Sequence, residues 1–158
     1  MAYKKKSWEE KLRDNKSFPK TLAFDPKFPC GRALEKMGAK PGDSVVLAPS
    51  LEVNKIMEKV PRGELIVLNE ICKELAKKHR TKYCCTLTTG IFVMTAANAA
   101  EETKSDVPYW RTIKNNGELN EKYPGGAERQ KKMLEKEGHQ IIQRGKKYYV
   151  KDYEEKLL

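Results

Sequence analysis

Between residues 51 and 102 the sequence reads as three helices, the first two marked by apolar side chains at helical spacing, and the rest of the chain has to pack around them. The first run carries Val53, Ile56, Met57 and Val60, with Ser50 placed to cap it, and Pro61-Arg62-Gly63 ends it. A short β-rich piece, 64–68, separates it from the second run, 69–78, whose Ile71, Cys72, Leu75 and Ala76 share one face. The third starts at Thr86 or Thr88 and continues to Glu101 and Glu102. It is small-sided, with Gly90, Ala96, Ala97, Ala99 and Ala100, so it can come close to another helix or to a ligand.

Downstream, Tyr123-Pro-Gly-Gly126 leads into a fourth helix over about 127–136, with Gln130, Met133, Leu134 and Glu137 on the core side and Gly138 as its terminating residue. Residues 139–143 and 147–150 flank Arg144-Gly145-Lys146, which reads as a hairpin. Helix, turn, helix and a later hairpin outline an α+β winged helix-turn-helix, with the third helix facing a groove and the hairpin as the wing. The expected division is an extension over 1–50, the winged-helix domain over 51–152 and a tail over 153–158.

The extension begins with a basic arm carrying Lys4, Lys5, Lys6, Lys11, Arg13, Lys16 and Lys20. Ser7 with Glu10 makes a capping box, and Trp8 and Leu12 lie four apart, so the arm either forms a short helix across 7–15 or stays solvated. Five prolines then punctuate residues 18–49. Between them, 44–48 reads as a strand and 31–38 has room for two helical turns.

A net charge of +10 with 34% charged residues favours a nucleic-acid partner, with membrane surfaces and acidic proteins as the alternatives. Lys73, Lys77, Lys78, Arg80 and Lys82 at the end of the second helix, and Arg144, Lys146 and Lys147 in the wing, are the candidate phosphate contacts. Cations at a helix end also suit its dipole, which accounts for the first group without a ligand. No apolar run reaches the roughly 18 residues of a membrane-spanning helix, and the amino terminus lacks the apolar core of a signal peptide. A cytoplasmic monomer is the expectation. Cys30, Cys72, Cys84 and Cys85 form no Cys-x-x-Cys pair, so they are expected as buried, reduced thiols, with no metal and no cofactor.

One loop breaks the pattern of a chain short of aromatics. Residues 107–120 hold Val107-Pro108-Tyr109-Trp110-Arg111, followed by Asn115-Asn116-Gly117 turn chemistry. Pro108 disfavours a helix interior, and adjacent aromatics in extended backbone point opposite ways, one inward and one towards a surface or pocket. Together with Gly125-Gly126 and Leu134-Glu-Lys-Glu-Gly-His139, this loop resembles the carboxy-terminal domain of O6-alkylguanine-DNA alkyltransferases. The family's motif there is Pro-Cys-His-Arg. Pro108 and Arg111 match it, whereas Tyr109 and Trp110 replace the alkyl-accepting cysteine and its histidine. The sequence is similar in this respect to alkyltransferase-like proteins, which keep the fold without the cysteine. The resemblance covers about 53–143.

The resemblance also implies a groove-helix arginine and a phosphate-contacting tyrosine. Matching Asn98 to the family's asparagine puts Thr89 at the arginine, with Leu68 near the tyrosine. It implies, further, that Glu137, which orients the histidine in the enzymes, has no base to orient here, since an indole has no basic nitrogen. Tyr109 with an ordinary pKa is a poor alkyl acceptor. The expectation is therefore a non-catalytic DNA-binding protein that recognises alkylated bases for another repair protein. Its base pocket would draw on Pro108, Tyr109, Trp110, Arg111, Thr88, Thr89, Asn98 and Glu137. The alternatives are transfer through another cysteine, a structured-RNA or ribosome-associated binder, and a protein-interaction surface on Tyr109 and Trp110.

Overall fold

A computed structural model describes residues 6–158; Lys4 and Lys5 of the expected arm lie outside the described residues. Helix α5 (Thr86–Thr103) is the centre of the molecule. Its small side chains Ala96, Ala97, Ala99 and Ala100 are buried and let three helices approach it: α1 (Trp8–Arg13), α3 (Ser50–Glu58) and α4 (Leu68–Lys78). Val53 and Met57 of α3, Ile71 and Leu75 of α4, and Leu12 of α1 close the main core around it. The apolar stripes read from the sequence are the buried faces.

The arm forms the short helix. Ser7 accepts a hydrogen bond from the Glu10 amide at 3.1 Å, and the Trp8 and Glu9 amides donate to the Glu102 carboxylate on α5. Glu102 thus satisfies amides that a helix start leaves unpaired. Ser50 behaves differently from the expected cap. It lies inside α3, with Pro49 at the cap position, and its buried hydroxyl donates to the Leu12 carbonyl at 2.8 Å. Leu12 is 38 residues upstream. The tertiary contact therefore replaced a local one.

Strand β1 (Lys20–Ala23) pairs antiparallel with β2 (Ser44–Leu47), and β2 pairs in parallel with β4 (Tyr83–Cys84), which lies between α4 and α5. With helix α2 (Gly31–Lys36), these strands enclose a second core of Phe24, Leu34, Val45 and Cys85. Residues 20–47 thus share a sheet with the helix-turn-helix.

The third core sits under the wing. Strand β3 (Ile66–Val67) pairs with β5 (Thr112–Ile113), and helix α6 (Gly126–Lys136) packs Leu134 against Leu65, Ile113, Leu119 and Val150. Gly138, at φ +93°, ends α6 with its amide on the Glu135 carbonyl, and the His139 amide turns back to the Leu134 carbonyl. An alanine there would meet the left-handed penalty that glycine escapes. Strands β6 (Ile141–Arg144) and β7 (Lys147–Val150) form the hairpin, turning at Gly145 and Lys146. The tail docks: Leu65 exchanges backbone hydrogen bonds with Lys156 and Leu158. The fold is an α+β winged helix-turn-helix, with α4 and α5 as the helix pair and β6–β7 as the wing.

Candidate nucleic-acid interface

Pro108 leads into a single 3₁₀ turn, Tyr109–Arg111, in place of the extended backbone expected for these residues. The turn sends Tyr109 into the core, 2% exposed, edge-on to Trp110 (5.5 Å between ring centroids) and to Tyr123 (5.3 Å). Its hydroxyl donates to Glu101 at 3.3 Å. Burial pushes the Tyr109 phenol up to about 12, and the Glu101 charge acts in the same direction. Tyr109 offers neither an exposed face for a base nor a phenolate nucleophile at neutral pH.

Trp110 is half-buried and packs against both the main core and the wing core. Its indole donates to Glu137 at 3.2 Å. Arg111 grips the same carboxylate, with Nη2 at 2.6 Å and Nε at 3.0 Å, and its Nη1 reaches the Val60 carbonyl at 2.7 Å. The two side chains are 14% and 5% exposed. Burial alone would raise the Glu137 carboxyl, but hydrogen bonds from Arg111 and Trp110 outweigh it and hold the carboxyl below its ordinary value. Arg111 is therefore a clamp between α6, the aromatic turn and the end of α3. It is not presented to a phosphate.

Gln130 and the following loop complete the frame. Gln130 Nε2 donates to the Trp110 carbonyl, and its Oε1 accepts from the Asn120 amide. Asn115 accepts from the Asn69 amide at 2.7 Å, capping α4 from 46 residues away. Tyr123 donates to the Thr112 carbonyl at 2.9 Å. The wall formed by 112–123 is preorganised.

Between that wall and α5 lies a cavity of about 440 Å³, lined by Leu68, Gly90, Val93, Thr112, Lys114 and Asn115 among others. Two further hollows flank it. One runs along Trp8, Leu87, Ile91 and Met94 to Lys114 and Lys122, and the other reaches Cys30, Lys36 and Leu87. Lysines line these hollows, and no aspartate or glutamate does. The buried Thr112 hydroxyl has no hydrogen-bond partner. Neither Tyr109 nor Trp110 lines any of the three.

The other expected pocket residues are also turned away. Thr89, 2% exposed, donates to the Cys85 carbonyl and touches Cys84 Sγ at 3.3 Å. Thr88 donates to Cys85 Sγ, and Asn98 donates to the Met94 carbonyl one turn back. Pro108 is buried. Of the expected phosphate contacts, Lys73, Lys78 and Lys82 pair with Glu70, Glu52 and Asp43 respectively. Lys77, Lys78, Arg80 and Lys82 lie at or beyond the end of α4 remote from Leu68, about 15 Å along the helix, and Lys73 lies midway. In the wing, Lys147 pairs with Glu118, while Arg144 and Lys146 are exposed, Arg144 lying over Tyr149. Asn116 lines both the α5 cavity and a hollow containing Arg144, so the wing adjoins the cavity. The cavity wall at 112–123 was missed from sequence, although its Lys114, Asn115, Asn116 and Asn120 directly follow the aromatic motif.

All four cysteines are buried free thiols. Burial pushes Cys30 up to about 12, with Cys85 adding to the rise. The neighbouring Cys84 thiol, with burial, raises Cys72, and the Cys72 thiol lowers Cys84. Cys84 is nevertheless sealed beneath α5, 3% exposed, which counts against transfer through another cysteine.

His139 is buried with Nε2 unpartnered, and burial lowers its pKa; Lys156 and Arg111 reinforce the shift and Glu137 opposes it. A lowered folded-state value means that the unfolded chain binds the proton more readily. Stability contributed by neutral His139 is complete above the ordinary histidine value of 6.5 and is lost as pH falls below it. Urea midpoints should therefore drop between pH 7.5 and 5.5, and the His139→Gln protein should show a flatter profile over that interval.

The comparisons with known proteins agree with this architecture. Residues 49–139 match the family described as 6-O-methylguanine DNA methyltransferase, DNA binding domain. Two solved structures of S. pombe Atl1 are similar in fold. One, in complex with damaged DNA containing O6-carboxymethylguanine, has a TM-score of 0.51 at 22% identity; the other, in complex with DNA, has 0.52 at 20%. Each similarity covers 69% of this chain and 93% of the other. No curated protein matches the chain. The family match takes in α3 to α6 and the aromatic turn, the elements that build the clamp and the cavity wall: the chain belongs to the 6-O-methylguanine DNA methyltransferase DNA-binding-domain family, with the fold of an alkyltransferase-like protein.

Proposed function

We propose that this protein binds double-stranded DNA through the outer side of α5 and the wing, holds it without chemical reaction, and recognises alkylated bases in the cavity beside α5. It acts as a cytoplasmic monomer that leaves the marked site to another repair protein. The observation that carries the reading is the set of hollows around α5, lined by lysines and by no carboxylate. A polyanion suits such a surface.

Family membership and the DNA in the two related Atl1 structures support the same reading. Non-reactivity follows from the site itself. Tyr109 and Trp110 stand at the thiol and imidazole positions, one buried with a raised pKa and the other without a basic nitrogen. Binding in place of transfer needs only a cavity and cations.

The test measures affinity at 150 mM salt for a plain duplex, the same duplex with one O6-alkylguanine, and a structured RNA, followed by intact-mass measurement. An alkylated base seated in the cavity should tighten binding about tenfold, within the roughly 1–3 kcal/mol that base contacts contribute. The protein mass should stay unchanged. Gain of one alkyl group would overturn the non-catalytic reading, and stronger binding to RNA would overturn the DNA reading.

A further inference from the structure

The segment before residue 49 lies outside the family match, yet it is built onto α5. Glu102 of α5 accepts the Trp8 and Glu9 amides, and the Leu51 amide donates to Asn15 at 3.4 Å. Further on, Phe18 stands edge-on to Phe92 of α5, with 5.3 Å between ring centres. Two rings of this segment each carry a lysine: Lys11 Nζ lies 4.2 Å from the Trp8 ring centre, and Lys20 Nζ lies 5.9 Å from that of Phe18. A ring holds an ammonium in place without neutralising it. The carboxylates of Glu9 and Asp14 are engaged by Arg13 and Lys6, whereas neither Lys11 nor Lys20 has a carboxylate partner among the described residues.

The hollows around α5 form a series. Asn116 belongs both to the hollow beside the wing and to the 440 Å³ cavity. Leu68, Gly90, Lys114 and Asn120 belong both to that cavity and to the next hollow, which Trp8 borders. Trp8 borders neither of the first two, and no residue of the wing strands borders the third. The wing and the extension therefore stand at opposite margins of the surface. We infer that Lys11 and Lys20, mounted on Trp8 and Phe18, form a phosphate clamp that grips the flank of a bound duplex beyond the reach of α5 and the wing. The inference rests on the proposed DNA binding and adds a contact made outside the family domain. Each strand of a duplex presents a phosphate about every 3.4 Å along the axis, so a duplex laid from the wing across the hollows meets the extension as well. Holding the ammonium groups in place before binding lowers the cost of ordering them. With a lysine over each, the rings are mounts and not stacking faces for bases.

The test measures the affinity of the full chain, over a salt series, for a duplex of about ten base pairs and for one lengthened by about one helical turn at each end. Wild type should bind the longer duplex more tightly, with a slope of log K against log salt steeper by about two units. Lys11→Gln/Lys20→Gln should remove that increment, weakening the longer duplex about tenfold at 150 mM salt and leaving the short one almost unchanged. Lys20 is exposed on β1, so Lys20→Gln alone keeps the fold and should remove about one unit of slope. The charge-retaining Lys11→Arg/Lys20→Arg should bind as wild type does. Lys55→Gln/Lys59→Gln, which alters two cations in the hollow between α3 and α4, should bind both duplexes unchanged. Equal losses on the two duplexes, no loss on either, or the same loss in the Lys55/Lys59 variant overturns the clamp and leaves DNA binding standing. Absence of wild-type binding to both duplexes overturns the DNA reading with it.

Discussion

Replacing Glu137 with alanine should lower the unfolding free energy by about 3–5 kcal/mol, because it leaves a buried guanidinium without its counter-ion. Arg111 is 14% exposed and makes its strongest hydrogen bonds to that carboxylate, and the Trp110 indole would lose its acceptor in the same step. The loss is large against the roughly 5–15 kcal/mol that holds a domain of this size together. In a chain of 158 residues it corresponds to a fall in Tm of about 10 °C. Replacing both partners with apolar residues of similar volume should restore most of the stability, since a buried ion pair repays little more than its own desolvation. Urea unfolding of Glu137→Ala and of Arg111→Met/Glu137→Leu separates the cases. A single-variant loss below 1 kcal/mol would mean that Trp110 and Arg111 are held by packing alone.

Duplex affinity should fall roughly a thousandfold between 50 and 200 mM salt. Among the described residues, six cations other than the Glu118-paired Lys114 border the proposed interface: Lys11 and Lys20, which lie over the Trp8 and Phe18 rings, Lys36 and Lys122 at the hollows, and Arg144 and Lys146 in the wing. Phe18 belongs to this surface through its edge-on contact with Phe92 of α5. Neutralising about six phosphates gives a slope of log K against log salt near −5. Lys73, Lys78 and Lys82 are left out, because each is paired with a carboxylate, and Lys78 and Lys82 lie at or beyond the far end of α4. Lys122→Ala should thus flatten the slope by about one unit, and Lys78→Ala should leave it unchanged. The reverse outcome would move the interface to the end of α4.

The residues that mislead a reader of the sequence share one property. Ser50 precedes an apolar run as a cap should, yet its hydroxyl serves Leu12. Tyr109 and Trp110 read as a pair with one outward face, yet the 3₁₀ turn and the Glu137 clamp turn both into packing. Thr89 occupies a groove-helix position and points into the core. For Ser50 and Trp110 the deciding partner lies 38 and 27 residues away, and for Thr89 it is the side of a helix that happens to be covered. The cavity wall was close at hand in sequence, but nothing local marks Lys114 or Asn120 as facing α5.

Elements whose signal is local were legible from the chain alone. Amphipathic spacing, the Ser7 cap, the Gly138 terminus and the two-residue turn at Gly145 act over a few residues, so helices, hairpin and their order follow from composition and period. Helix α5 is the exception: apolar on nearly every side, it carries no periodic mark of which side is covered. Only the assembled fold decided that α1, α3 and α4 take three of its sides and leave Leu87 and Ile91 in solvent. Burial is a property of neighbours brought together across the chain, and no single segment carries it.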